Sequence, residues 1–428
     1  MKILELSVGG YKNLRKTKIQ FGKSQITAII APNNFGKSNL LEGLKFAYDF
    51  IHSSAEVRAV MMGNLWAIPI NKFLEEENFY FEVVFENING STKSLIEYSF
   101  EFAWKKNMEF QGSKILSESL RVKEEGRAKN KFKAYLIRNS IRSEYQSSPS
   151  GRCDTQVRVN STDLIIDKMR MMDTLFYGHL IDEIYNLNFT LPDFMEAEGS
   201  TNIFIGYDDN DGRKNFAQFI YNLRDRENHL YELFINSLID LIPNIESITP
   251  SEFDLKIDPK PNDSNGIPFS RPEKIFDLRI KERNNNQSTG VRFLSKGTRR
   301  IIMILASTIE AVERGHSFIA FEELEDSIHP HLLQRLLMIL KGLAPDVQIL
   351  ISSHSPYLVQ YLPIECVYFG LPNDSGIAGF SKIKLSKHKT IMRIASELDL
   401  NLGDYLFDLM SDITPDEKFQ AEYFDSQV

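Results

Sequence analysis

Three short stretches hold the residue types that chemistry on a phosphate needs. Ala31-Pro-Asn-Asn-Phe-Gly36-Lys37-Ser38 follows an apolar run over 25–30 and opens an apolar-periodic segment over 38–51. A turn of this kind at a helix start presents backbone N–H groups, here around Asn34–Lys37, to an anion at the positive end of the helix dipole. Lys37 supplies an ammonium for the β- and γ-phosphates, and Ser38 a hydroxyl for Mg2+. Asn33, Asn34, Gly36 and Asn39 complete the candidate nucleotide contacts. The pattern usually begins with Gly; here it begins with Ala31, whose Cβ tolerates close backbone approach less well.

The second stretch is the apolar run 318–321, which ends in Glu322 and Glu323. At the carboxyl end of a strand the first acid can hold Mg2+ through water, and the second can orient or deprotonate an attacking water. Alone, such a run more often leads into a solvated acidic helix start. The third stretch, Leu294-Ser295-Lys296-Gly297, and His354 after the strand-like run 348–352 are each commonplace singly. Their joint order is not. Ser295, Glu323 and His354 are separated by 28 and 31 residues, about one helix–strand unit each, and all follow Lys37.

The elements that must position these residues can be read from periodicity. Residues 1–7 and 25–31 read as strands, and 79–85 and 94–102 as a hairpin joined by a turn at 87–90. A less regular block over 111–250 opens basic and Ser-rich and continues with helical spacing over 216–241. Residues 257–272 and 283–289 read as loops. Ser295 then stands at a helix start, Ile301, Ile302, Leu305, Ile309 and Val312 form its stripe, and Gly315 stops it. Residues 317–321 form a strand, Pro330 opens a helix with Leu333, Leu336, Leu337 and Leu340, and Gly342 ends it. Strand 348–352 follows, then a new start at Ser355-Pro356. This alternation implies an α/β fold whose sheet is mixed, mainly parallel and covered by helices.

Composition removes several alternatives. With 428 residues and about 150 per domain, the chain has room for about three domains. Cys153 and Cys366 alone make neither a disulfide framework nor a zinc cage. The longer apolar runs are about six residues, far short of the ~20 that span a bilayer, and the start shows no signal-peptide core. A cytoplasmic location without a membrane is the expectation. The net charge of −8 rules out a strongly basic DNA coat.

These motifs resemble the nucleotide-binding heads of the ABC-type ATPases, in the branch containing the SMC, RecF and OLD families. The closest likeness is to OLD-like ATPases of bacterial anti-phage defence systems. The likeness rests on Ile3-Leu4-Glu5-Leu6 with Tyr11-Lys12-Asn13-Leu14, and on Gly36-Lys37-Ser38-Asn39-Leu40-Leu41-Glu42. Glu323-Leu324-Glu325 with Ile328-His329-Pro330, and Ser352-Ser353-His354-Ser355-Pro356, complete it. It covers about 1–110 and 275–370. The resemblance implies a P-loop NTPase head binding ATP and Mg2+, with Gly36, Lys37 and Ser38 as the Walker A residues. Ser295 and Gly297 match the signature motif that contacts the γ-phosphate on the opposite subunit. Glu323 matches the catalytic glutamate, His354 the switch histidine, and Glu322 the metal-site acid. Glu322 stands where many relatives carry Asp, and Leu324 replaces a common Pro. A head-to-head homodimer with two buried ATP molecules is implied.

The expected domains are an N-terminal head part (1–110), an inserted, mainly helical lobe (111–250) and a C-terminal head part (251–428). Sustained heptads are lacking between Lys37 and Ser295, so the insert is expected to be compact. From Arg121 to Arg142 it carries Arg121, Lys123, Arg127, Lys129, Lys131, Lys133, Arg138 and Arg142 against Glu124 and Glu125, with Phe132 and Tyr135 among them. This local +6 suits a nucleic-acid backbone, an acidic protein partner or a plain solvated edge. After His354 no convincing nuclease-type acidic cluster appears. Asp399, Asp404 and Asp408 read as helix-surface acids, and His329 and His331 are expected to face different directions. Any effector, a nuclease or toxin, is therefore expected on a separate chain, under control of this ATPase. The alternatives are a RecF-like DNA-repair ATPase and a nucleotide-dependent scaffold assembling through apolar faces in 176–194.

Overall fold

The computed structural model describes residues 1–63, 68–89, 92–105, 114–124, 131–187, 189–192, 205–207, 216–254, 274–371, 375–411 and 417–425. The chain divides into two units: Met1–Leu191, His316–Leu324 and Val347–Val428 form the first, Pro192–Gly315 and Glu325–Asp346 the second.

The first unit holds two sheets, whose strands are numbered in chain order. Strands β1 (Lys2–Tyr11), β2 (Leu14–Gln20), β4 (Phe79–Asn89), β5 (Thr92–Ala103), β6 (Lys114–Glu124), β7 (Lys133–Arg138), β8 (Ser143–Gln146) and β9 (Cys153–Gln156) form an antiparallel sheet. Their order is β2-β1-β4-β5-β6-β7-β8-β9. Period-2 alternation sends Phe79, Phe81, Val83 and Phe85 to one face, opposite Phe102, Phe100, Tyr98 and Ile96, and all are fully buried. The second sheet joins β3 (Ile26–Ile30), β10 (Phe189–Thr190), β15 (Phe318–Glu322), β16 (Gln348–Ser353), β17 (Val367–Gly370) and β18 (Phe380–Ser381). Its order is β10-β15-β16-β3-β17-β18, parallel except for β17 with β18. Every residue of β3 and β16 is buried, as strands covered on both faces require.

Helix α1 (Lys37–His52) packs against strands of both sheets, burying Leu40, Leu41, Leu44, Ala47, Phe50 and Ile51. Phe50 stacks on Phe102 and Phe100 at centroid distances of 4.8 and 5.1 Å. Helices α2 (Ala55–Met62), α3 (Ile165–Arg170) and α4 (Gly178–Tyr185) complete this side. Leu180, Ile181 and Ile184 of α4, with Leu187 and Phe189, lie in the core, so these apolar faces are not free for assembly. Phe194 lies outside the described residues.

The second unit has an antiparallel sheet, β11 (Ile205–Tyr207), β13 (Lys274–Glu282) and β12 (Ile245–Asp254) in that order, with β14 (Thr289–Gly290) on β13. Its helices are α5 (Phe216–Asp225), α6 (His229–Leu241), α7 (Lys296–Glu313) and α8 (Pro330–Leu343).

Four expectations change. Residues 114–124 and 131–156, expected to open a helical lobe, instead carry strands β6 to β9, which extend the first sheet. The helical spacing of 216–241 is split, because Glu227 takes a left-handed φ of 51° and Asn228 caps α6 by accepting from Leu230 N. Gly342 lies inside α8, which runs on to Leu343. His329 and His331 do not diverge: their rings lie nearly parallel, 5.4 Å apart. The loop expected at 257–272 and Gly90 of the 87–90 turn lie outside the described residues. Among the described residues no helix is long and apolar enough to cross a membrane, and no group of three or more His, Cys, Asp or Glu is placed to hold a metal.

Candidate functional site

Strands β15, β16 and β3 are parallel neighbours, with Glu322 opposite Ser352 and Ser352 opposite Ile29. Their carboxyl ends therefore share one edge of the sheet. Ala31, Glu323 and His354, the residues that follow the three strands, leave from that edge, where open α/β sheets bind ligands.

The loop after β3 is fixed at both ends. Ala31 N donates to Ser353 O at 3.2 Å, and Leu40 N to Gly36 O at 3.0 Å where α1 begins. Asn34 and Gly36 adopt φ of 64° and 87°; held in a left-handed conformation, Asn34 is the kind of strained residue that collects at ligand sites. Gly36 also has no room for a side chain, since a Cβ there would stand 2.7 Å from both Ala378 Cβ and Asn13 Oδ1. No side chain caps the start of α1 and no acid sits in its first turn, so its N–H groups remain open to an anion. Lys37 is buried and donates from Nζ to Ala31 O at 2.7 Å and Pro32 O at 3.0 Å. Asn33 and Asn34 are exposed on the loop.

Asn39 donates to Asn13 Oδ1 at 2.8 Å, while Asn13 Nδ2 donates to Gly376 O at 3.1 Å and Asn13 O accepts from Ala378 N at 2.9 Å. Asn13 thus braces the loop, a role that its position in the β1–β2 turn, far away in sequence, did not reveal.

The acids divide their partners. Ser38 Oγ donates to Glu322 Oε1, bringing together two hard oxygen donors of the kind Mg2+ takes. The extra methylene of Glu322 relative to Asp is accommodated, because its carboxylate reaches Ser38. Glu323 has φ of 47° and donates its N–H to Ser352 O at 2.9 Å. Its Oε1 lies 3.5 Å from His354 Nδ1, with both side chains about two-fifths exposed (41 and 42%) and so open to water. Leu324, where Pro is common, is fully buried.

Ser295 and Gly297 belong to the second unit; the other predicted site residues belong to the first. Ser295 is the N-cap of α7, accepting from Thr298 N at 3.1 Å. A Cβ on Gly297 would stand 2.3 Å from Ser327 O, so glycine is required where α7 meets that carbonyl. Lys296 bonds Asp326 at 3.0 Å and Arg300 approaches it at 3.9 Å. Burial works against the charge on Asp326, but these two cations hold its carboxyl below the usual range.

The basic stretch is dispersed. Arg121 pairs with Glu97 and Arg142 with Glu144, both at 3.1 Å, and Lys133 donates to Pro149 O at 3.3 Å. Arg138 is buried. Arg127 and Lys129 lie outside the described residues.

Residues 5–191 match the family model "AAA domain", and residues 191–360 match "AAA domain, putative AbiEii toxin, Type IV TA system". The chain is 21% identical over 391 residues to the "Retron Vc95 probable ATPase" of Vibrio cholerae serotype O1 biovar El Tor, covering 84% of this chain and 71% of that protein. It is 26% identical over 127 residues to the Septu protein PtuA of Bacillus thuringiensis, covering 26% of this chain and 32% of PtuA. Among solved structures, an SMC head bound to the C-terminal winged-helix domain of ScpA aligns with a TM-score of 0.48 and 14% identity, over 90% of this chain and 99% of that one.

Proposed function

We propose that the chain is an ABC-type ATPase of the SMC, RecF and OLD branch, a reading supported by its two AAA-domain matches and its retron and Septu relatives, and that it binds ATP with Mg2+ and hydrolyses it as a head-to-head homodimer. In this reading its turnover controls a separate effector, a nuclease or toxin, in defence against phage. One observation carries the enzymatic part: Lys37, Ser38, Glu322, Glu323 and His354 gather at one edge of one parallel sheet.

Each side chain then has a task. Lys37 turns its ammonium from the carbonyls of Ala31 and Pro32 to the phosphates, and the N–H groups of the loop and α1 hold the remaining oxygens. Ser38 and Glu322 hold the metal, which when bound neutralises charge on the phosphate oxygens. Glu323 takes a proton from the attacking water. His354, beside that carboxylate, meets the γ-phosphate.

Helix α7 supports the dimer. Ser295 caps an 18-residue helix whose dipole favours an incoming phosphate. In an isologous pair each subunit would present Ser295 and Gly297 to the nucleotide held by the other's Lys37. The defence role is supported by the resemblance to OLD-like ATPases and by the retron and Septu relatives.

The test is Glu323→Gln. ATP binding should persist, while turnover drops about 10²- to 10⁴-fold, the usual worth of a positioned acid or base. Parental turnover in this variant, or a parent that binds no ATP, contradicts the proposal.

A further inference from the structure

A groove of about 910 Å³ opens on the first unit between the start of β6, the β7–β8 turn and the segment after β9. It contains none of the nucleotide-site residues. Five cations line it, Lys114, Arg138, Arg142, Arg158 and Lys168; Lys168 meets Asp163, the one carboxylate of the lining, at 3.6 Å, and Arg142 meets Glu144 behind it at 3.1 Å. On a chain with net charge −8 such a concentration runs against the background.

The frame is built. Arg138, only 8% exposed, donates to Asp163 O at 2.5 Å and Asn160 O at 2.9 Å, tying β7 to the segment after β9. Asn139 Oδ1 accepts from Ile141 N and Arg142 N at 2.9 and 3.0 Å, which fixes the β7–β8 turn and holds Ile141, 92% exposed, at its tip. Ile115 N donates to Ser161 O at 2.8 Å and closes the third side. Lys114 and Arg158 are both exposed, and neither forms an ion pair among the described residues.

We propose that this groove binds the phosphodiester backbone of a nucleic-acid strand. Long cationic side chains interspersed with serine, asparagine and glutamine are the donors that contact phosphate oxygens. Among the described residues no aromatic side chain lines the groove to stack bases, and contacts to phosphate carry no sequence information, so recognition is expected to be independent of sequence. An acidic peptide is the other polyanion to exclude. The site differs from the one the sequence suggested: of the stretch from Arg121 to Arg142 only its last part contributes, and Lys114, Arg158 and Lys168 join it through the fold.

The experiment is fluorescence anisotropy of the full chain with labelled oligothymidylate and oligouridylate at about 50 and about 200 mM salt. Binding should weaken with salt along a log–log slope near −3, the value for about four phosphate contacts on a single strand. Lys114→Gln with Arg158→Gln should weaken binding at least about tenfold and flatten the slope by about 1.4, with ATP binding unchanged as the check on folding. A preference for either strand sustains the proposal and points to the strand recognised; equal binding sustains it as recognition of the phosphodiester alone. It is overturned if neither strand binds, if the double variant binds like the parent, or if polyglutamate displaces the oligonucleotide more effectively than unlabelled oligonucleotide does.

Discussion

Gly370 on β17 leaves the space that Ala31 fills: a Cβ on Gly370 would stand 2.4 Å from the Cβ of Ala31. The residue that departs from the usual glycine at the head of the phosphate loop is thus matched by a glycine on the neighbouring strand, and the pair keeps the loop against the sheet. Gly370→Ala should destabilise the protein by about 1–3 kcal/mol, the range for overpacking, and weaken nucleotide binding. Adding Ala31→Gly should recover most of both losses. A double variant as impaired as Gly370→Ala alone would show that the two do not act as a pair.

The contact between Ser38 and Glu322 predicts a metal-specific effect. Glu322→Gln should lower nucleotide affinity about 10- to 100-fold when Mg2+ is present, as loss of a metal-site partner commonly does. Titration with a fluorescent nucleotide in the presence of chelator should show little difference from the parent. Equal losses with and without metal would place Glu322 outside the metal site.

Arg58 has the largest side chain among the fully buried residues, and its role is structural. It donates from Nε to Phe50 O at 2.8 Å and from Nη2 to Ile51 O at 2.9 Å, satisfying carbonyls at the end of α1, and forks onto Asp167 of α3. Arg58→Met should cost about 3 kcal/mol in denaturant unfolding by leaving those acceptors unmet. Arg58→Met with Asp167→Asn should cost less than the two changes summed. Additive costs would contradict the coupling.

Glu118 supplies a pH dependence. Complete burial pushes its carboxyl up to about 7, against the N–H bonds it accepts from Ile165 at 2.6 Å and Ile166 at 3.1 Å. The folded state then holds a proton that the unfolded chain releases near pH 4.5, so stability falls as pH rises from about 4.5 through 7. The loss reaches about 3 kcal/mol above that window. Thermal unfolding of Glu118→Gln across pH 4 to 8 should show a shallower decline than the parent, and parallel curves would refute it.

Glu118 also explains what the sequence concealed. Inward positions of β6 alternate as Glu118, Leu120 and Val122, but the charge at the first breaks the apolar pattern that marks a strand. Its partners, the first N–H groups of α3, lie more than forty residues later, so no local reading explains a buried acid there. β8 and β9 are four residues each, too short for periodicity to register. The strand, glycine turn and helix start of the candidate nucleotide site were legible because they are local, lying within fourteen residues. Ser295 and Pro330 were legible as helix starts for the same reason. Asn13 and Gly370 were not, since they meet the loop only through the fold.

The central claim, that each nucleotide is enclosed by Lys37 and Glu323 of one subunit and Ser295 of another, is tested most directly by mixing two inactive proteins. Ser295→Arg and Glu323→Gln each remove one half of every site, whereas their heterodimer contains one site with both halves intact. ATP hydrolysis in an equal, randomly assorted mixture should recover to about a quarter of the parental rate per subunit, one intact site in half of the dimers. Turnover in the mixture no greater than in the separate variants would contradict a shared site.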